Sequence, residues 1–91
     1  TTMLLHCDLV YVSRDARLRM PFVNLGLCPE FGSSLLLPRL IGHAKAAELL
    51  LLGEGFSGVQ AAEWGIATEA LGSGEAALAK AREMALRFES L

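Results

Sequence analysis

The sequence predicts an α/β fold in which only part of a β-sheet is present. Two stretches near the beginning have strand character, and helical patterns fill most of the rest. The first stretch, residues 8–13, is rich in β-branched and aromatic residues, as strands are. The second, residues 16–20, alternates basic and apolar side chains, which is typical of a half-exposed strand. Two short strands cannot complete a sheet, so we expect a partial one.

The segments around these strands predict a helix end and a loop. Residues 3–7 are apolar enough to be the last turns of a buried helix, and they place His6 in the core. Pro21 ends the second strand. Residues 22–32 contain Gly26, Pro29 and Gly32, which predict a structured loop with short helical turns.

From Ser33 onward the pattern is mainly helical. A serine at position 33 or 34 can cap a short helix through Leu40, which we expect to be broken near Pro38. The further predicted elements are a helix over residues 44–52 stopped by Gly53, a helix that begins at a Ser57/Gln60 capping box and ends at Gly65, a brief strand within residues 66–71, and an amphipathic helix over residues 75–89. The apolar face predicted for this last helix comprises Leu78, Ala81, Ala85 and Phe88.

Composition limits the classes of partner. The chain has 91 residues, 53% of them apolar, and a net charge of -2. A single domain of this size must expose part of that apolar surface, so we expect cover from further chain or from other subunits. Scattered basic residues and interrupted apolar runs indicate neither a nucleic-acid nor a membrane partner. Cys7 and Cys28 lack metal-ligand spacing and are expected to be reduced core thiols, which fits a cytoplasmic protein.

Three segments, read in order over residues 1–70, resemble the crotonase superfamily of enoyl-CoA hydratases and isomerases. The first is residues 4–13, where a Cys-Asp pair leads into a strand. The second joins residues 16–21 to Leu-Gly-Leu-Cys-Pro at residues 25–29. The third joins Leu-Pro-Arg-Leu-Ile-Gly at residues 37–42 to Ala-Ala-Glu-Trp-Gly at residues 61–65. Each segment is a weak signal alone, but their order and spacing together are specific.

The resemblance implies a crotonase-like (ClpP/crotonase) spiral of ββα units, with residues 1–91 forming the C-terminal part of its core. It implies that an upstream oxyanion- and CoA-binding half and downstream helices lie outside these residues. Family members act on acyl-CoA thioesters, so we expect an acyl-CoA substrate, no separate cofactor, and a homotrimer or hexamer. In the family, two backbone N–H groups stabilise the enolate oxygen of the thioester.

The resemblance also implies which carboxylate does the chemistry. Hydratases of the family use two glutamates, and the corresponding positions here hold Thr2 and Phe22. Neither side chain can transfer a proton as a carboxylate does, so simple hydration is disfavoured. Residues 29–34 instead resemble the peroxisomal-type Δ3,Δ2-enoyl-CoA isomerases, in which one glutamate is the acid/base. The implied catalytic residue is Glu30 in a dry apolar pocket, with Thr2, Phe22 and Phe31 as substrate-binding neighbours.

Other interpretations stay open at this point. Glu30 could be a solvated turn residue, and both phenylalanines could belong to the core. A different crotonase activity could use carboxylates from further chain. A third possibility is a non-catalytic crotonase-like module that binds CoA or another protein.

Overall fold

The computed structural model describes all 91 residues as a mixture of short strands and helices, which confirms the predicted α/β class. The strands are β1 (Tyr11–Ser13), β2 (Arg17–Leu18), β3 (Phe56–Ser57) and β4 (Glu69–Leu71). The α-helices are α1 (Ser33–Ile41), α2 (His43–Leu52), α3 (Gly58–Trp64) and α4 (Gly74–Arg87), and two 3₁₀ helices cover Thr2–His6 and Phe88–Ser90.

The strands form two separate pairs. Strand β1 pairs in parallel with β4, with Val12 opposite Ala70, and β2 pairs antiparallel with β3, with Leu18 opposite Phe56. Strands β1, β2 and β4 are shorter than the stretches that predicted them, and β3 was not predicted from the sequence. A parallel pair needs a long crossover, and the helices between β1 and β4 supply it. The partial sheet expected from the sequence is therefore present as two two-stranded pieces.

One apolar core joins both strand pairs to the first three α-helices. Its largest fully buried side chains are Met20 and Leu37, both 0% exposed. The other buried members are Leu5, Val10, Val12, Ala46, Leu49, Phe56, Ala61, Ile66 and Ala67. Trp64 packs on Phe56 with ring centroids 5.5 Å apart. This core supports the N-terminal end of α1, next to Glu30.

The predicted helix boundaries are largely confirmed. In the capping box, the Gln60 amide N–H donates to Ser57 Oγ at 3.1 Å, and the Ser57 N–H donates to Gln60 Oε1 at 2.9 Å. Gly53 and Gly65 end their helices with positive φ. Pro38 does not break α1, which continues to Ile41. The carbonyl that Pro38 leaves unpaired belongs to Ser34, which is exposed and can bond water instead.

The predicted apolar face of α4 is wrong in part. Ala77 is the buried residue of this helix, whereas Leu78 is 53% exposed and Phe88 is 61% exposed. The helix packs on β1 and β4, so its rotation is set by small side chains that fit against those strands. Local periodicity identified the helix but not its orientation.

Three expectations about the first residues are also corrected. The segment Thr2–His6 is a 3₁₀ helix with only Leu5 buried, not the end of a buried α-helix. His6 is exposed, and so are Cys7 and Cys28. These three side chains are exposed because few other residues pack over them.

Exposed apolar surface is extensive, as the composition predicted. The large exposed side chains include Leu25, Leu27, Leu35, Leu51 and Leu86. No helix combines the length and the apolar character needed to cross a membrane.

Candidate functional site

Glu30 occupies the first position of a tight turn that leads directly into α1. The Ser33 N–H donates to the Glu30 carbonyl oxygen at 3.1 Å, which closes the turn. Its two central residues, Phe31 and Gly32, both have left-handed backbones, with φ of 58° and 72°. A closing bond across two residues of positive φ is the signature of a type I′ turn. Glycine adopts this conformation freely, but a bulky aromatic residue does so at a cost of about 1–3 kcal/mol.

His6 contacts this strained turn from the first 3₁₀ helix. Its Nε2 lies 2.6 Å from the Phe31 carbonyl oxygen. The two rings meet edge to face, with centroids 4.4 Å apart and planes inclined by 67°. The sequence did not suggest this pairing, because no local pattern relates residues 25 positions apart.

The Glu30 side chain is exposed in this structure, as is Phe31 at 57%. The dry apolar surroundings expected for Glu30 are therefore not formed by these 91 residues, and that expectation is corrected. Phe31 turns toward His6, and Leu35 is itself 55% exposed, so neither covers the carboxyl. Any desolvation of Glu30 must come from groups outside this chain.

The other predicted site residues lie in different environments. Thr2 is half-buried at the start of the 3₁₀ helix that ends at His6. That helix packs against α1, and its other end, at His6, is the part that contacts the Glu30 turn. Phe22 is half-buried and packs against the apolar core, which favours the core role left open for it.

An apolar cleft of about 300 Å³ opens beside the turn. Pro29, which precedes Glu30, forms part of one wall, and Ser34 in the first turn of α1 forms another part. The remaining lining residues, Pro38, His43, Ala46, Ala47, Leu50 and Leu51, come from α1 and α2. The lining is mostly hydrocarbon, so the cleft could accept an apolar chain. No group of three His, Cys, Asp or Glu side chains is placed to hold a metal ion.

Ser33 contributes a buried polar atom to the same region. The residue is 0% exposed, and its Oγ has no hydrogen-bond partner in the protein. A buried hydroxyl without a partner destabilises a fold by about 1–3 kcal/mol. Most buried polar groups in proteins are hydrogen-bonded, so an unpaired buried hydroxyl is uncommon and calls for an explanation other than stability.

The whole chain matches one protein family. A family model described as enoyl-CoA hydratase/isomerase covers residues 1–90. Over 65 residues the chain is 46% identical to 1,2-epoxyphenylacetyl-CoA isomerase of Escherichia coli, covering 71% of this chain and 25% of that protein. Over 68 residues it is 43% identical to enoyl-CoA delta isomerase 2 of Rattus norvegicus, covering 75% of this chain and 17% of that protein. Over 82 residues it is 35% identical to a probable enoyl-CoA hydratase of Bacillus subtilis, covering 90% and 32%.

Solved structures agree with this match. The Pseudomonas aeruginosa OdaA structure superposes with a TM-score of 0.95 at 68% identity, covering 99% of this chain and 36% of that one. An enoyl-CoA hydratase/isomerase from Pseudoalteromonas atlantica gives a TM-score of 0.91 at 42% identity, covering 99% and 36%. The expected crotonase-like fold is confirmed. The chain spans about a third or less of the length of these proteins.

Proposed function

The chain belongs to the enoyl-CoA hydratase/isomerase family, and from this premise we propose that the protein is a Δ3→Δ2 enoyl-CoA isomerase with Glu30 as its acid/base. The observation that carries the proposal is the placement of Glu30. It is the carboxylate at the opening of a strained turn, beside an apolar cleft. The family resemblance supports the proposal as well, because it assigns Thr2 and Phe22 to the two positions where hydratases carry glutamates.

The reaction needs one carboxylate acting twice. The Glu30 carboxylate takes a proton from C2 of a 3-enoyl-CoA, and the C–H electron pair forms a double bond between C1 and C2. The thioester oxygen becomes the negative end of a dienolate. The protonated Glu30 then gives the proton to C4. A double bond forms between C2 and C3, and the thioester carbonyl re-forms. Proton transfer by a positioned side chain of this kind typically accelerates a step about 10²–10⁴-fold.

An exposed turn is compatible with this role. The chain covers about a third or less of its relatives' length, so the groups that would shield Glu30 and bind the enolate oxygen are proposed to lie outside it. The cleft lined by Pro29, Leu50 and Leu51 is proposed to receive part of the acyl chain. Thr2 and Phe31 are proposed to border the substrate, with Phe22 behind them. Cytoplasmic localisation and assembly as a homotrimer or hexamer remain proposals too.

The direct test is to give the intact protein a 3-enoyl-CoA and identify the product. Isomerisation yields the conjugated 2-enoyl-CoA, whose thioester absorbs more strongly in the ultraviolet. Glu30→Gln should lower kcat by about 10²-fold or more, because the amide cannot accept the proton. Glu54→Gln, which changes another exposed glutamate, should keep wild-type turnover. Unchanged kcat in Glu30→Gln would remove Glu30 from the mechanism.

Hydration of a 2-enoyl-CoA is the second candidate, favoured by the probable hydratase among the relatives. Its chemistry normally engages two carboxylates, and the chain offers Thr2 and Phe22 at the two matching positions. Supplying 2-enoyl-CoA separates the two functions. Rapid formation of a 3-hydroxyacyl-CoA would favour the hydratase over the isomerase.

A further inference from the structure

We propose that His6 is a positioning residue that holds the Phe31–Gly32 turn and thereby orients the Glu30 carboxyl. The proposal rests on the proposed acid/base role of Glu30, but it assigns His6 no part in the proton transfer itself. The contact between the 3₁₀ helix and the turn is the observation behind it.

His6 contacts Phe31, the first central residue of the turn, and lies beside the second, Gly32. A carbonyl oxygen can only accept, so His6 Nε2–H donates to the Phe31 oxygen across 2.6 Å. The ring packs edge to face on the Phe31 ring, with centroids 4.4 Å apart. A Cβ placed on Gly32 would lie 3.7 Å from His6 Cε1, in ordinary van der Waals contact. One side chain therefore restrains Phe31 through one polar contact and one aromatic contact.

The turn needs such a restraint because its conformation is costly. Phe31 at φ 58° has a backbone that an aromatic residue rarely adopts. Within the turn, one backbone hydrogen bond, from Ser33 to Glu30, opposes relaxation to an extended conformation. A hydrogen bond contributes about 0.5–1.5 kcal/mol net, which is less than or similar to the strain. The His6 contacts make up the difference.

Relaxation of Phe31 would move the carboxyl of the residue before it. Reacting groups must lie within about 3–3.5 Å in a productive orientation, and a misplacement of about 1 Å can cost about 10²-fold in rate. His6 would thus act on kcat without touching the substrate. Because Nε2 already bonds Phe31, that nitrogen is not available as a second base.

Two substitutions separate the contacts. His6→Phe keeps an aromatic ring against Phe31 and removes the donor, whereas His6→Gln keeps a donor and removes the ring. In the intact protein with 3-enoyl-CoA, His6→Phe should lower kcat by about tenfold, with KM within about twofold. His6→Gln should recover part of that loss. Cys7→Ser is the matched control, since Cys7 is the exposed neighbour and its Sγ donates only to the Met3 carbonyl oxygen of the preceding 3₁₀ helix, and it should behave as wild type.

A kcat within twofold of wild type for His6→Phe would overturn the proposal. So would a fall in kcat that His6→Gln does not recover at all. Should His6→Phe fail to fold, as judged by its urea midpoint, His6→Leu takes its place.

Measuring His6→Phe in a protein that already carries Glu30→Gln distinguishes failure of this proposal from failure of the proposed function. If His6 acts through Glu30, His6→Phe should add less than a twofold loss to that variant. Full activity of Glu30→Gln alone would refute the isomerase mechanism. Loss of activity in Glu30→Gln together with a normal His6→Phe would refute only the positioning role. A full additional tenfold loss in the double variant would also refute it, because His6 would then act independently of Glu30.

Discussion

Replacing Gly58 by alanine should destabilise the protein more than its small size suggests. Gly58 is the first residue of α3, and its buried backbone lies against β1. A Cβ built there would lie 1.8 Å from the Ser13 carbonyl oxygen and 3.2 Å from Val12 Cγ2. Real Cβ atoms essentially never approach other heavy atoms within 3.0 Å, so α3 and β1 must separate by at least about 1.2 Å. The obstacle is backbone, which cannot rotate away as a side chain would.

Overpacking of this kind costs about 1–3 kcal/mol, and we expect the upper part of that range because the clash is with backbone and Val12 belongs to the core. Urea denaturation of the intact protein measures the loss through the midpoint at constant slope. Gly72→Ala is the matched control, since nothing lies within 4 Å of its added Cβ and its φ is not positive. That change should be neutral or stabilise by about 0.4–1 kcal/mol. A Gly58→Ala midpoint equal to wild type would refute the close approach of α3 and β1.

Three further substitutions test other parts of the fold by the same denaturation measurement. Ser33→Ala removes a buried hydroxyl without a protein partner and should raise the free energy of unfolding by about 1–3 kcal/mol. Ser34→Ala, at an exposed position, should leave the free energy of unfolding nearly unchanged. A destabilised Ser33→Ala protein would show that the hydroxyl has a partner. Ser57→Ala removes the cap of α3 and should cost about 0.5–2 kcal/mol, so an unchanged midpoint would contradict the capping box. Leu37→Ala, at a fully buried site, should cost about 2–5 kcal/mol, and Leu35→Ala, at an exposed one, far less; equal losses would contradict the described core.

The features that the sequence predicted well depend on residues within one turn of each other. The Ser57/Gln60 capping box and the glycine that ends α2 at position 53 are local arrangements, and both are present. Their geometry follows from backbone donors and left-handed φ values that need no distant partner.

The features that the sequence predicted wrongly depend on packing between distant segments of the chain. Strand β1 is limited to three residues because only Tyr11–Ser13 are paired in register with β4, which lies 58 positions along the chain. The face of α4 is set by contact with β1 and β4, so Leu78 is exposed although helical periodicity placed it inside.

For the candidate site, the sequence leads to the proposal of Glu30 but did not predict the surroundings of that residue. Glu30 was identified from the Pro-Glu motif and its neighbours. The left-handed Phe31 and the His6 contact were not, because non-glycine residues with positive φ leave no local signature. A histidine near a Glu-Phe-Gly turn becomes informative only when the fold brings the two together.

The central claim is that one carboxyl carries the proton from C2 to C4, and the fate of that proton tests it most directly. A 3-enoyl-CoA deuterated at C2 would be converted by the intact protein in ordinary water, with the product analysed at the earliest turnovers by mass spectrometry and NMR. The account predicts that a measurable share of the 2-enoyl-CoA carries deuterium at C4. Product whose new C4 hydrogen comes entirely from solvent, even at the earliest turnovers, would contradict it, because a single carboxyl shielded from water returns the hydrogen that it took from C2.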